Sequence, residues 1–344
     1  MIHEQTFLSH FFLFQINYFY QGILTIPRVS ILLPVRNEGK YISKTVNSLL
    51  EQDYPDEMFE IVIADGNSDD NTKDELEKLK KQFKLIRVIN NPGITMPKGF
   101  NLAFSATKSD FILMYGGHSI IPKNYISKSV ENIIKYNADC SGGILNTTGE
   151  GFWGKIIAST LSSRFGVGNV SFRVQNAKPG YVNSVPYGCY KRTVFEKLGL
   201  LDEELARNQD DEFNFRIIQA GMKIWQDSSL VINYYCRSTL RKLFKQYFEY
   251  GLYKVRVIQK RNQIISLRHL VPSLFFISLL IPYFSFYSFV AYFYTSLFFS
   301  IKIGKFNIFK WFACQISFFV IHFSYGIGFL YGLFRFKSLW SKDE

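Results

Sequence analysis

Cysteine is scarce in this chain: four residues in 344, Cys140, Cys189, Cys236 and Cys314, with no two at CxxC spacing. That excludes a disulfide framework and a cysteine zinc site and fits a reducing compartment. Glycine-rich phosphate loops are missing as well. There is no GxGxxG and no GxxxxGK(S/T) run, so dinucleotide and P-loop readings fail. Despite a formal charge of +12, no positive stripe interleaved with exposed aromatics precedes residue 237, which excludes nucleic acid as a partner. Charge itself is absent from residues 271–300 and 311–334. Each run exceeds the roughly 20 apolar residues that cross a bilayer as a helix.

What is present fits a head on a membrane anchor. Residues before 269 suffice for one large domain with its own core. Phe (35) and Tyr (21) are abundant, as lipid contact and interfacial belts require. Arg237, Arg241, Lys242, Lys245, Lys254, Arg256, Lys260, Arg261 and Arg268 gather before the first uncharged run, where anionic headgroups attract them. With Arg335, Lys337 and Lys342 they place both flanks on the cytoplasmic side, whereas Lys302, Lys305 and Lys310 oppose an external loop. Pro282 stands inside the first run and is positioned to break it, giving two or three passes. A further uncharged stretch, residues 5–27, carries His10, Gln15, Asn17 and Gln21 and no preceding basic region. It reads as an interfacial or packed aromatic segment, with a full span as the rival, rather than as a signal peptide.

The head alternates strand and helix signals. Strands are predicted at 29–33 (ending at Pro34), 59–64, 85–89 and 111–114, with helices from near Gly39, over 72–79 and over 101–106. Such alternation calls for a mostly parallel sheet covered on both faces, an α/β class. Polar residues recur after these strands: Asn37 and Glu38, then Asp65 and Asn67, then His118. Open α/β sheets bind ligands at that edge.

Asp65 can accept hydrogen bonds from a nucleobase edge or ribose hydroxyl, while Asp70 reads as a cap or loop brace. His118, between Gly117 and Ser119, suits a metal or a pyrophosphate, with a structural turn histidine as the rival. Three consecutive carboxylates, Asp210, Asp211 and Glu212, stand at a predicted helix N-terminus where aligned amides stabilise negative charge. An anion held there can take a proton from a hydroxyl; the rival is an extended acidic cap. Pro186 to Tyr190 forms a glycine-bearing turn, with Tyr187 and Gly188 able to pack beneath an acceptor sugar.

Four segments together resemble the inverting family 2 glycosyltransferases, and among them membrane-attached, succinoglycan-type exopolysaccharide transferases. They are VSILLPVRNEGKYISKTVNSLLEQDYP (29–55), EIVIADGNSDDNT (60–72), NPGITMPKGFNLAFSATKSDFILMYGGHSIIP (91–122) and ARNQDDEFNFRIIQAGMKIW (206–225). The resemblance covers about residues 28–330 and implies a GT-A fold and a nucleotide-sugar donor. It assigns Pro34, Arg36, Glu38, Asp65, Gly117 and His118 to the donor, with His118 also to a divalent cation, Mg²⁺ or Mn²⁺. It makes Asp210 the general base, and places Tyr187, Gly188, Asp211, Glu212, Arg216 and Gln246 at the acceptor or behind it, with Tyr250 and Lys254 near Gln246. The chain departs from the family pattern at Gly116, where the metal motif has its first Asp, so that motif supplies only His118.

The implied layout is an aromatic segment 1–27, a GT-A domain 28–236, a basic interfacial segment 237–268, a membrane region 269–335 and a cytoplasmic tail 336–344. The implied reaction moves a sugar to a lipid-linked or growing saccharide at the cell membrane, in company with lipids and other polysaccharide assembly proteins. Gly116 supports a second reading, a membrane-bound sugar-nucleotide or saccharide-binding protein with weak or no catalysis. A processive synthase with a self-contained channel would need more crossings than are predicted here, although an oligomer could supply one.

Overall fold

The computed structural model describes residues 25–168, 170–173, 177–263 and 269–337. The expected N-terminal aromatic segment up to residue 24, Arg268 and most of the tail lie outside these residues. The strands are β1 Val29–Val35, β2 Phe59–Asp65, β3 Ile86–Asn90, β4 Phe111–Met114, β5 Ser119–Ile120, β6 Cys140–Thr148, β7 Gly180–Val182, β8 Cys189–Lys191 and β9 Ile224–Tyr235. Helices follow as α1 Ile42–Leu50, α2 Thr72–Gln82, α3 Met96–Ser105, α4 Tyr125–Lys135, α5 Gly151–Leu161, α6 Arg164–Val167, α7 Arg192–Leu198 and α8 Gln209–Gln219. After them come α9 Leu240–Arg261, α10 Val271–Leu280, α11 Pro282–Gly304 and α12 Ile308–Arg335.

The sheet runs β3-β2-β1-β4-β8-β6-β9-β5, with β7 on β9. Strands β3, β2, β1 and β4 are parallel, and β8 is antiparallel to β4 and β6. This is a mixed but largely parallel sheet with flanking helices, GT-A-like as the resemblance implies. All of β1 is buried, which is why it reads as a continuous apolar run rather than an alternating one.

Strand β1 continues through Pro34 instead of ending there. The Leu32 carbonyl accepts from Tyr115 N–H on the β4 side, and alternation turns Pro34 the same way two residues later. Pairing with β4 stops at Leu32–Met114, so the missing proline N–H faces no ladder. Helix α3 starts at Met96, before the predicted 101–106, because Pro97 in its first turn fits a helix start and hid the periodicity.

The described residues divide into two compact units, the first within 25–145, 178–203 and 213–233, the second within 146–177, 204–212 and 234–337. The first unit's core gathers Leu32, Val62, Phe100, Ile112, Phe195 and Phe213. Phe195 and Phe213 stack with centroids 4.6 Å apart.

In the second unit, Pro282 splits the 271–300 run. Helix α10, at about 15 Å, is too short to cross a bilayer; α11 and α12 are long and apolar enough. Some polar groups of these apolar helices find partners within the same unit. Thr160 and Ser317 hydroxyls meet at 2.7 Å, and His322 joins the Tyr292 hydroxyl (3.0 Å) to the Phe165 carbonyl (2.8 Å).

Candidate active site

In the first unit, the order β3-β2-β1-β4 reverses direction between β1 and β4, and loops leaving that point form the ligand-binding crevice of open α/β sheets. The loop after β1 carries Arg36, Asn37 and Glu38; the strand β4 is followed by Tyr115 to His118. These two loops meet. Glu38 Oε1 lies 2.9 Å from His118 Nδ1, with both side chains mostly buried. A carboxylate on one imidazole nitrogen fixes the ring's orientation. Gly117 makes this possible, since a Cβ there would stand 2.7 Å from Glu38 Cγ.

The β1 loop is stitched to the loop after β2. Asn37 N–H donates to Ser68 Oγ (2.9 Å), Asn37 Nδ2 to Asp69 (2.7 Å) and Glu38 N–H to Thr72 Oγ1 (2.8 Å). Asp65 is buried at the end of β2 and accepts from the Ser68 backbone and hydroxyl. Asp70 accepts from Thr72 and Gly39. Slight burial opposes its ionisation, but those hydrogen bonds hold its carboxyl below the usual aspartate value, the loop-bracing role expected of it. Arg36 is exposed on this rim, and Pro34 lies buried in the strand beneath it.

Tyr187 and Gly188 run alongside β4, where the Gly188 carbonyl accepts from Met114 N–H. Tyr187 holds φ +47°; its carbonyl accepts from Tyr125 Oη at 2.9 Å and its ring packs on Tyr115 at 4.8 Å. Arg216 donates to the carbonyls of Leu198 (2.7 Å) and Leu200 (2.8 Å) and lies over the Phe213 ring, which makes it a brace for the end of α7.

The acidic run opens α8 and belongs to the second unit, where α9 holds it. Lys254, itself buried, pairs with Asp211, and Arg261 pairs with the fully buried Glu212. Glu204 takes Arg256 (2.8 Å) and Lys260 (2.9 Å), and Arg207 takes Glu249 (2.8 Å). Asn208, at φ +61°, donates to the Tyr250 carbonyl. Three adjacent carboxylates are tolerated because two have their own cation.

Asp210 has no ion-pair partner among the described residues and is open to solvent. Crowding by surrounding protein, then the charge of Asp211, raise its carboxyl above the usual aspartate range, while Lys254 pulls the other way. Gln246 donates to Tyr250 Oη at 3.0 Å.

Sequence reasoning named Glu38, His118, Asp211 and Glu212 singly but missed their partnerships. The residues of these pairs stand 43 to 80 positions apart, beyond any local pattern. Arg261 was read as a headgroup contact; only its spacing from Lys254 on one helix face could have signalled otherwise. For the expected divalent cation, no group of three His, Cys, Asp or Glu among the described residues is placed to hold one.

A family model described as Glycosyl transferase family 2 matches residues 30–199. The chain is 32% identical over 241 residues to the dolichyl N-acetyl-alpha-D-glucosaminyl phosphate 3-beta-D-2,3-diacetamido-2,3-dideoxy-beta-D-glucuronosyltransferase of Methanococcus voltae, covering 67% of this chain and 74% of that one. It is 27% identical to the succinoglycan biosynthesis protein ExoA of Rhizobium meliloti, over 72% of this chain and 76% of that one. Among solved structures, the mannosyltransferase PcManGT from Pyrobaculum calidifontis, in complex with GDP-Man and Mn²⁺, shares the fold. Its TM-score is 0.58 at 13% identity, over 94% of this chain and 96% of that one.

Proposed function

The chain belongs to glycosyl transferase family 2, transferring a sugar from a nucleotide-sugar donor, and from that membership we propose its acceptor and the division of labour among its residues. The acceptor is a lipid-linked or growing saccharide in surface or exopolysaccharide assembly. Two similar proteins, one named for a dolichyl-linked substrate and one for succinoglycan biosynthesis, support this, as do two apolar helices of membrane-spanning length.

The observation that carries the site is the Glu38–His118 hydrogen bond at the point where strand order reverses. Around it, Pro34, Arg36 and Asp65 hold the nucleoside, and Gly117 and His118 lie against the diphosphate. Asp210 accepts the proton of the acceptor hydroxyl as its oxygen attacks the anomeric carbon. A new C–O bond forms, the bond from that carbon to the diphosphate oxygen breaks, and nucleoside diphosphate leaves with the electron pair. A single in-line displacement inverts the anomeric centre. Tyr187, Gly188 and Gln246 border the acceptor, with Asp211, Glu212 and Arg216 positioning from behind.

GT-A enzymes of this family commonly use a divalent metal. The residues of this chain do not make up a protein-held site for one, because Gly116 brings no ligand and no third donor joins His118 and Glu38 among the described residues. No step above is routed through an ion. Residues 28–236 form the catalytic part on the cytoplasmic side, 237–268 the segment that meets the lipid surface, and 269–335 the anchor.

The test is release of nucleoside diphosphate by the full chain in lipid, from a panel of sugar nucleotides with a lipid-linked saccharide acceptor. Asp210→Asn is expected to cut turnover by roughly 10²–10⁴-fold while leaving nucleotide binding intact. Equal turnover in that variant would remove Asp210 from the chemistry. Binding without turnover in the parent protein would favour the non-catalytic reading that Gly116 supports.

A further inference from the structure

By the resemblance, residue 116 is where an Asp of the metal motif is expected, and the structure shows what stands beside the glycine found there. A Cβ built on Gly116 has three nearest neighbours, all in Tyr187: Cε1 at 3.0 Å, the hydroxyl oxygen at 3.4 Å and Cζ at 3.7 Å. The phenol ring therefore occupies the room into which any side chain at 116 would project. It is held there from two sides. Tyr187 sits in the left-handed backbone region with its carbonyl accepting from the buried Tyr125 hydroxyl, and its ring packs on the buried Tyr115. An Asp at 116 would crowd the Tyr187 ring, which would have to give by a few tenths of an ångström to admit even its Cβ.

We infer that Tyr187 replaces the absent carboxylate in function as well as in space: its hydroxyl, with His118, holds the diphosphate of the donor, so that the chain binds nucleoside diphosphate without a protein-held divalent ion. A carboxylate next to a diphosphate is repulsive unless a cation stands between them. A neutral phenol O–H has no such need, because it donates directly to an anionic oxygen in a charge-assisted hydrogen bond. The same substitution that removes the metal ligand thereby removes one negative charge facing the diphosphate and places a hydrogen-bond donor near it. The absence of a three-residue metal-binding group among the described residues fits this exchange. The inference rests on the reading that places His118 against the donor diphosphate.

Binding and turnover separate the two. The full chain in lipid nanodiscs is titrated with UDP, GDP, ADP and CDP in Mn²⁺ and in EDTA, alongside Tyr187→Phe, Gly116→Asp and the double variant Gly116→Asp/Tyr187→Ala. The expected result is tight binding of at least one nucleotide that changes less than about threefold between Mn²⁺ and EDTA. Tyr187→Phe keeps the ring and loses the hydroxyl, and is expected to weaken that binding roughly tenfold or more, the worth of a hydrogen bond to a charged group. The double variant, with room for its carboxylate, is expected to bind only with Mn²⁺. Gly116→Asp alone serves as the steric control and is expected to bind poorly in both conditions.

Binding that collapses in EDTA and is indifferent to Tyr187→Phe would overturn the exchange while leaving the transferase reading in place. Metal-independent binding lost in Tyr187→Phe, but without turnover of any sugar nucleotide, would keep the exchange and end the catalytic reading. No binding by the folded parent chain in either condition would end both.

Discussion

Asp210 combines an open side chain with a carboxyl raised above its usual range, and both properties follow from its neighbours. A base must be ionised to act, so kcat/KM is expected to rise with pH on a limb set by Asp210, with a midpoint above that of an ordinary aspartate. Crowding and Asp211 push that midpoint up, and Lys254 holds it down. Lys254→Met is therefore expected to move the limb further alkaline, and Lys254→Arg to restore it, in a kcat/KM profile over pH 4–9. A limb unmoved by Lys254→Met would show that the cation serves Asp211 alone. Linkage adds a stability counterpart. A raised carboxyl pKa means that the ionised form opposes folding: the penalty is full above the folded pKa and gone below the unfolded value. Asp210→Asn should therefore raise the melting temperature at neutral pH, and the gain should vanish in acid. The sequence exposed Asp210 through its charge run and helix-start position, which are local. Its tuning by the charge of Lys254 was hidden because Lys254 reaches this cluster through Asp211, 43 positions away, a contact that depends on how α9 packs.

At the scale of elements, α9 is where sequence and structure diverge most instructively. Its nine-cation approach reads as a strip for lipid headgroups, and Arg241, Lys242 and Lys245 are indeed exposed. Lys254, Arg256, Lys260 and Arg261 are instead paired with carboxylates of residues 204–212. The cause lies in the helix's other face. A Cβ on Gly251 would stand 2.2 Å from the Tyr325 carbonyl oxygen, and one on Gly328 would stand 2.1 Å from that of Phe248. Helices α9 and α12 thus pack backbone to backbone through small residues, the last turns of α12 carrying Gly328-x-x-x-Gly332. That contact fixes which side of α9 remains for its cations.

Hydropathy located α12, and charge located α9, but neither pattern registers a pairing between a charged helix and an apolar one; only the glycine spacing hinted at it. Gly328→Leu forces a side chain into a carbonyl and is expected to cost about 1–3 kcal/mol or more, read as a fall in melting temperature in detergent. Gly326→Ala serves poorly as a control, since its Cβ would meet the Pro272 carbonyl at 2.5 Å. Phe334→Ala, at an exposed position on the same helix, should leave the transition in place.

For the molecule as a whole, the turn between α11 and α12 bears on the number of crossings at this end of the chain, for which two are expected. Helix α11 has 23 residues, about 34 Å, and α12 has 28; both match a hydrocarbon core of about 30 Å. Only residues 305–307 connect them, with Lys305 at φ +50° and Trp311 Nε1 donating to its carbonyl, so the two form an antiparallel hairpin. Two crossings return the chain to the side it left. The basic residues flanking the pair, Arg237 through Arg261 before it and Arg335 after it, would then share one side, and their charge makes the cytoplasmic side the expected one. Their pairing with carboxylates does not weaken this, since acidic residues contribute little to orientation. The cost is a hairpin tip bearing Lys302, Lys305 and Lys310 on the far side; Lys302 softens it by lying 4.2 Å from the centroid of the Phe298 ring. Phe306, fully exposed at that tip, offers a direct reading. All four native cysteines are buried, so Phe306→Cys adds the one accessible thiol among the described residues. A membrane-impermeant maleimide is expected to label it in intact cells, once any outer barrier is opened, and to miss it in inside-out vesicles. Labelling only in the inverted vesicles would place the tip on the cytoplasmic side and overturn this orientation, leaving a re-entrant hairpin or the reversed topology.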